Sequence, residues 1–201
     1  MLYRALLFSI TSLYVSQPLI AQFDPIHLDN ASFEGTPADA TTPASWHPCA
    51  PGTTPDILPG PWAVTNEAHD GDTYVGLIVR PDGSYESIGQ RLSRPLKPNE
   101  CYTIRIALAH SPTYYGFNKP LKLRIYGGKR KCQLDQLLVQ SPLITHTEFR
   151  IYEFELRPKK PIYYLIFEAF HKEGPFSYKG NILLDDLQPI KLCTRALLLK
   201  H

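Results

Sequence analysis

Cys101-Tyr102-Thr103-Ile104-Arg105-Ile106-Ala107-Leu108-Ala109 alternates: Tyr102, Ile104, Ile106 and Leu108 fall on one side, Thr103, Arg105 and Ala107 on the other. A period of two is that of a β-strand with one buried and one solvated face, because successive side chains point in opposite directions. The same pattern recurs downstream. Leu121, Leu123 and Ile125 alternate with Lys122, Arg124 and Tyr126, and Tyr152, Phe154 and Leu156 alternate with Glu153 and Glu155. Ile162–Phe170 is apolar on both faces, which predicts a central strand. Further strands are expected over Thr73–Val79, Tyr85–Leu92, Leu137–Ile144 and Asn181–Leu192. With Pro, Gly, Asn and Asp turns between them, these segments predict an all-β fold, an antiparallel two-sheet sandwich.

Upstream, residues 35–65 hold Pro37, Pro43, Pro48, Pro51, Pro55, Pro59 and Pro61. Proline lacks the N–H that a helix interior or a central strand requires, so this stretch reads as a long loop pinned by Trp46, Cys49 and Trp62. In the last strand, Ile182 and Leu184 are in phase but Leu187 is not. A bulge at Asp185-Asp186 would restore the inward face and turn one carboxylate away from the sheet.

The first residues, Met1-Leu2-Tyr3-Arg4 followed by an apolar run from Ala5 to Val15, have the charge and pattern of a secretory signal, with cleavage expected after Ala21. The expected organisation is a signal peptide over 1–21, a single sandwich over 22–193 and a tail over 194–201. No later segment is apolar enough to span a bilayer as a helix. The formal net charge is +2, a balance that gives no argument for a nucleic-acid partner. Lys129-Arg130-Lys131, the densest basic cluster, reads as a solvated loop.

The four cysteines, Cys49, Cys101, Cys132 and Cys193, fit no zinc spacing and no Cys-x-x-Cys redox pair. In an exported chain they read as two disulfides, with three connectivities open. If the last strand pairs antiparallel with Cys101–Leu108, Cys193 falls beside Cys101. The preferred pairing is therefore Cys101–Cys193, with Cys49–Cys132 tying the Pro-rich loop to the Gly127-Gly128 turn.

Several pieces follow one another in a known order: Asn30-Ala31-Ser32-Phe33-Glu34, Pro43-Ala44-Ser45-Trp46, His69-Asp70-Gly71-Asp72-Thr73-Tyr74, Gln90-Arg91-Leu92, Cys101-Tyr102-Thr103-Ile104 and Asn181-Ile182-Leu183-Leu184-Asp185-Asp186. The order resembles the galactose-binding-like jelly rolls, which include many carbohydrate-binding modules. Within that group it looks most like the domain of exported Bacteroidetes surface proteins. The resemblance implies a jelly-roll sandwich and a non-catalytic, carbohydrate-binding role in the periplasm, at the outer membrane or outside the cell. The alternative partner is a cell-envelope protein, contacted as an accessory of a surface, secretion or gliding machine. It also implies a structural calcium, with Glu34 and Asp185 as ligands and the Asp70-Gly71-Asp72 turn, Asp72 included, completing the shell.

Sugar rings stack on flat aromatic faces. Tyr114 and Tyr115, in the loop after Ala109-His110-Ser111, are candidate ligand-binding residues, with Trp62 and Tyr85 beside them, whereas Trp46 is expected to be buried. Nucleophile machinery is not visible. His110 and Ser111 are strand neighbours pointing to opposite faces, no Gly-x-Ser-x-Gly elbow exists, and Glu153 and Glu155 lie on a wet face. The chain therefore reads as a binding protein and not as an enzyme.

Overall fold

A computed structural model describes residues 24–171 and 178–193. The expected signal peptide and the tail after Cys193 lie outside the described residues. Among the described residues twelve strands make the fold: β1 (His47–Pro48), β2 (Asp56–Leu58), β3 (Tyr74–Val79), β4 (Ser87–Leu96), β5 (Tyr102–Ala109), β6 (Lys119–Pro120), β7 (Lys122–Gly128), β8 (Gln136–Gln140), β9 (Arg150–Leu156), β10 (Ile162–Phe170), β11 (Gly180–Asp185) and β12 (Lys191–Leu192). They form two sheets, one ordered β1-β4-β10-β7-β8, the other running β12-β5-β11-β3-β2 with β9 on the free side of β5. All pairings are antiparallel except that β6 lies parallel to the start of β11. The molecule is an all-β two-sheet sandwich, as the alternating segments predict, of the jelly-roll kind that the resemblance implies.

The apolar faces meet between the sheets. Leu77, Val79, Ile104, Ile106, Leu108, Ile182 and Leu184 of one sheet belong to a single buried cluster with Ile88, Leu123, Ile125, Leu165 and Phe167 of the other. β10 takes the middle of its sheet, between β4 and β7. Trp46 is buried, packed at 4.8 Å from Phe33 and 5.5 Å from Phe167, and its indole N–H donates to the Asn30 carbonyl.

β3 and β11 are buried on both faces, which is why their sequences do not alternate. A second cluster explains it: Leu58, Val64, Tyr74, Ile78, Ala109, Tyr114 and Leu183 pack together away from the main core. The Pro-rich loop supplies Leu58 and Val64 to that cover. It also supplies β1 and β2, which pair as short edge strands with β4 and β3. Proline is tolerated at sheet edges, where one row of N–H groups needs no partner.

The last strand departs further from regularity than a bulge. β11 ends at Asp185, Asp186 adopts φ 41°, and the chain rejoins β5 only at β12, where Lys191 pairs with Thr103. Between them Leu187 turns into the core, its N–H donating to Ala31, and Gln188 donates to Arg105. β8 stops at Gln140, short of the expected Ile144, because the Ser141 hydroxyl takes the Leu123 N–H and donates to the Pro142 carbonyl. Disulfides join Cys101 to Cys193, with Cα atoms 5.3 Å apart, and Cys49 to Cys132, at 5.0 Å. Among the described residues no helix is long and apolar enough to cross a membrane.

Candidate functional site

At one end of the sandwich, the loop after β5 meets the segment after β2. Asn181, fully buried in β11, fixes the first of these. Its side-chain oxygen accepts the Ser111 N–H, and its amide donates to the carbonyls of Ser111 and Phe117, each at 2.7 Å. One asparagine thus clamps both ends of the 111–117 loop. No periodicity or spacing in the sequence marks it for that role.

The clamp turns Tyr114 and Tyr115 in opposite directions. Tyr114 is buried and its hydroxyl donates to Asp56, so it closes the second apolar cluster and presents no face for stacking. The sequence reads both tyrosines as ligand-binding; the difference arises because only one ring can fill the space over Gly76, where a Cβ would stand 3.2 Å from the Tyr114 ring. Tyr115 is 75% exposed. Its N–H donates to the carbonyl of Trp62, whose ring is 40% exposed and whose indole N–H donates to Asp39 at 2.7 Å. Trp62 and Ala63 have φ 55° and 60°, a left-handed conformation that costs a bulky residue about 1 kcal/mol or more. Phe117 buttresses the indole edge-on at 6.4 Å. Trp62, Tyr114 and Tyr115 are therefore brought together, whereas Tyr85 is half-buried against the main core and lines neither cleft described below.

Two clefts flank this platform. A cavity of about 180 Å³ is lined by Asp39, Thr54, Asp56, Trp62, Arg80 and Phe117, among others. A wider one, about 540 Å³, is lined by Asn66, Glu67, His69, Thr113, Thr147 and Glu148, with Pro112 and Phe149. Under the smaller cleft lies a buried acid network that the sequence did not reveal. Glu86 accepts the Ile78 N–H, the Thr54 N–H and the Arg80 guanidinium, the last at 2.7 Å. Burial pushes Asp56 up to about 7, against the hydrogen bonds from Tyr114 and Ala40 that favour its anion.

His110 and Ser111 are both spent on the loop. The histidine Nε2 lies 3.1 Å from the Asn118 carbonyl oxygen, and the serine hydroxyl meets that of Thr113.

The carboxylates assigned to calcium by resemblance fasten the turn before β3. Asp185, buried in β11, accepts the N–H groups of His69 at 2.7 Å, Asp70 at 3.1 Å and Asp186 at 2.7 Å. Burial nevertheless pushes it up to about 6. Glu34 accepts the N–H groups of Asp72 and Thr73 and the Thr73 hydroxyl, and Gly71 is held so close that a Cβ there would meet a Glu34 oxygen at 2.2 Å. Calcium needs six to eight oxygen ligands. Here Glu34 and Asp185 place four carboxylate oxygens around the 69–73 turn, each accepting N–H or O–H donors. Asp72 is exposed and contributes its N–H.

No protein-family model and no curated protein matches the chain. Solved structures to which it is similar include the K3 cleaved adhesin domain of Lys-gingipain from Porphyromonas gingivalis W83, at 14% identity, covering 77% of this chain and 98% of that one, with a TM-score of 0.49. Another is the CBM22-1 xylan-binding domain from Paenibacillus barcinonensis Xyn10C, at 15% identity, 81% and 91% coverage and a TM-score of 0.49. A second carbohydrate-binding module, of type CBM4, is similar at 15% identity, 74% and 94% coverage and a TM-score of 0.42.

Proposed function

We propose that this chain is an exported, non-catalytic binding protein that takes a carbohydrate on the Trp62–Tyr115 platform. The observation that carries the reading is the pair itself. Two large flat rings stand in solvent on adjoining loops, one of them held there by a strained backbone, a hydrogen bond to Asp39 and an edge contact to Phe117. An apolar side chain gains nothing from being kept out of the core, so strain that maintains exposure points to a ligand. A pyranose offers C–H faces to such rings and hydroxyls to the carboxylate, amide and hydroxyl groups of the neighbouring clefts.

The test is a broad glycan array probed with the purified protein, followed by titration of any hit. Tyr115→Ala and Trp62→Ala should each weaken binding by roughly tenfold, the loss of one stacking face. A folded, monodisperse sample that binds no glycan would overturn the proposal. It would direct the search to protein partners from the cell envelope, the accessory role that the same exposed rings could serve.

A further inference from the structure

The opposite end of the sandwich carries a second exposed surface of different chemistry. The loop joining β7 to β8 presents Lys129, Arg130 and Lys131, all exposed, and the turn before β10 presents Lys159 and Lys160. Gln136 links the two turns: its side-chain oxygen accepts the Lys159 N–H at 2.8 Å and its amide donates to the Arg157 carbonyl at 3.0 Å. The Cys49–Cys132 disulfide holds the first turn from beneath. Between the turns lies a groove of about 410 Å³, lined by Lys129, Gln133, Asp135, Lys160, Pro161 and Tyr163.

Five cations without an ion pair gather at this end. Arg80, Lys97, Arg105, Arg124, Arg150 and Arg157 each have a carboxylate within 4.0 Å. Lys129, Arg130, Lys131, Lys159 and Lys160 make no ion pair among the described residues, and the nearby Asp135 carboxylate is turned to the Lys129 backbone N–H. The Lys131 charge adds to burial in holding the His47 imidazole below its ordinary range.

Apolar side chains stand among these cations. Leu134 is 47% exposed at the tip of the same loop, and Leu137, 45% exposed, opens the adjoining edge of β8. A soluble polyanion would be met by the charges alone. Cations flanking protruding leucines suit a surface that is negative at its face and hydrocarbon beneath.

We infer that this end docks on the surface of an anionic lipid bilayer, with the five cations against phosphate headgroups and Leu134 and Leu137 entering the acyl boundary. The docked protein then presents the Trp62–Tyr115 end away from the membrane.

The experiment is flotation of the purified protein with vesicles of phosphatidylglycerol and phosphatidylcholine, and with phosphatidylcholine alone. Binding is expected only to the anionic vesicles, and it should fall steeply towards ~0.5 M salt, where the screening length is below about 5 Å. Lys159→Glu with Lys160→Glu should lower the partition by roughly tenfold or more, while Lys119→Glu, at an exposed position at the other end of the sandwich, leaves it unchanged. Leu134→Ser with Leu137→Ser should lower it several-fold with the charges intact. All these positions are exposed, so an unaltered melting temperature verifies each variant's fold. Failure to float with anionic vesicles, or flotation indifferent to the lysine reversals, would overturn the inference. So would loss with the lysines but not with the leucines, together with equal binding to soluble heparin; that result would assign the surface to a polyanion in solution.

Discussion

Asp185 draws three backbone N–H groups onto one buried carboxylate, and removing it strands them all. Asp185→Ala should cost about 2–4 kcal/mol, the cost of unsatisfied donors in a partly buried turn, read as a fall in denaturation midpoint. If those hydrogen bonds alone fasten the turn, excess calcium or chelator should leave the melting temperature unmoved. A calcium-dependent rise that Glu34→Gln abolishes would place an ion at the turn after all. Glu168 carries a pH prediction. It is buried beside Arg124, at 4.0 Å, and burial pushes it up to about 7 against that guanidinium. A carboxyl whose folded value is raised binds its proton more tightly in the folded state. Its contribution is fully present below its ordinary range and is lost as pH rises through about 7. Asp56 and Asp185 act in the same direction, so the melting temperature should decline from about pH 4.5 to 7.5, and Glu168→Gln should flatten part of that decline. At this scale the sequence is least legible. In Thr113-Tyr114-Tyr115-Gly116 nothing local says which ring turns inward; that depends on Asp56, Gly76 and Asn181, which are distant along the chain and close only after folding.

Elements were legible in proportion to how unequal their two faces are. β5, β7 and β9 alternate because one side meets the core and the other water, and β10 reads as central because it is covered on both. β2 escaped notice. Its three residues are all buried, but they sit among prolines, and the pairing partner β3 is set by tertiary contact. The interrupted last strand was half legible: the phase change at Leu187 marks the defect, while the length of the excursion depends on contacts to Ala31 and Arg105. The cysteine pairing follows from the same strand, since β12 lies on β5 and brings Cys193 to Cys101, whose carbonyl accepts its N–H at 2.9 Å. Each disulfide closes a long loop, with sequence separations of 83 and 92. Replacing Cys49 and Cys132 together by alanine should cost about 2–5 kcal/mol, measured by chemical denaturation under non-reducing conditions.

Across the whole molecule the two exposed surfaces stand at opposite ends of β7 and β10, separated by the core. Substitutions that far apart, with no shared partner, act independently. Leu134→Ser with Leu137→Ser should therefore leave glycan affinity within about twofold, and Tyr115→Ala should leave vesicle flotation equally untouched. Coupling between them would mean that one surface, and not two, carries the binding.

The two disulfides are interleaved along the chain, in the order Cys49, Cys101, Cys132, Cys193, the first bonded to the third and the second to the fourth. A single cut by a protease anywhere between Cys49 and Cys193 always leaves at least one bridge spanning the break. Such a nick releases no fragment, and the strands on either side remain tethered to re-form the same sheets.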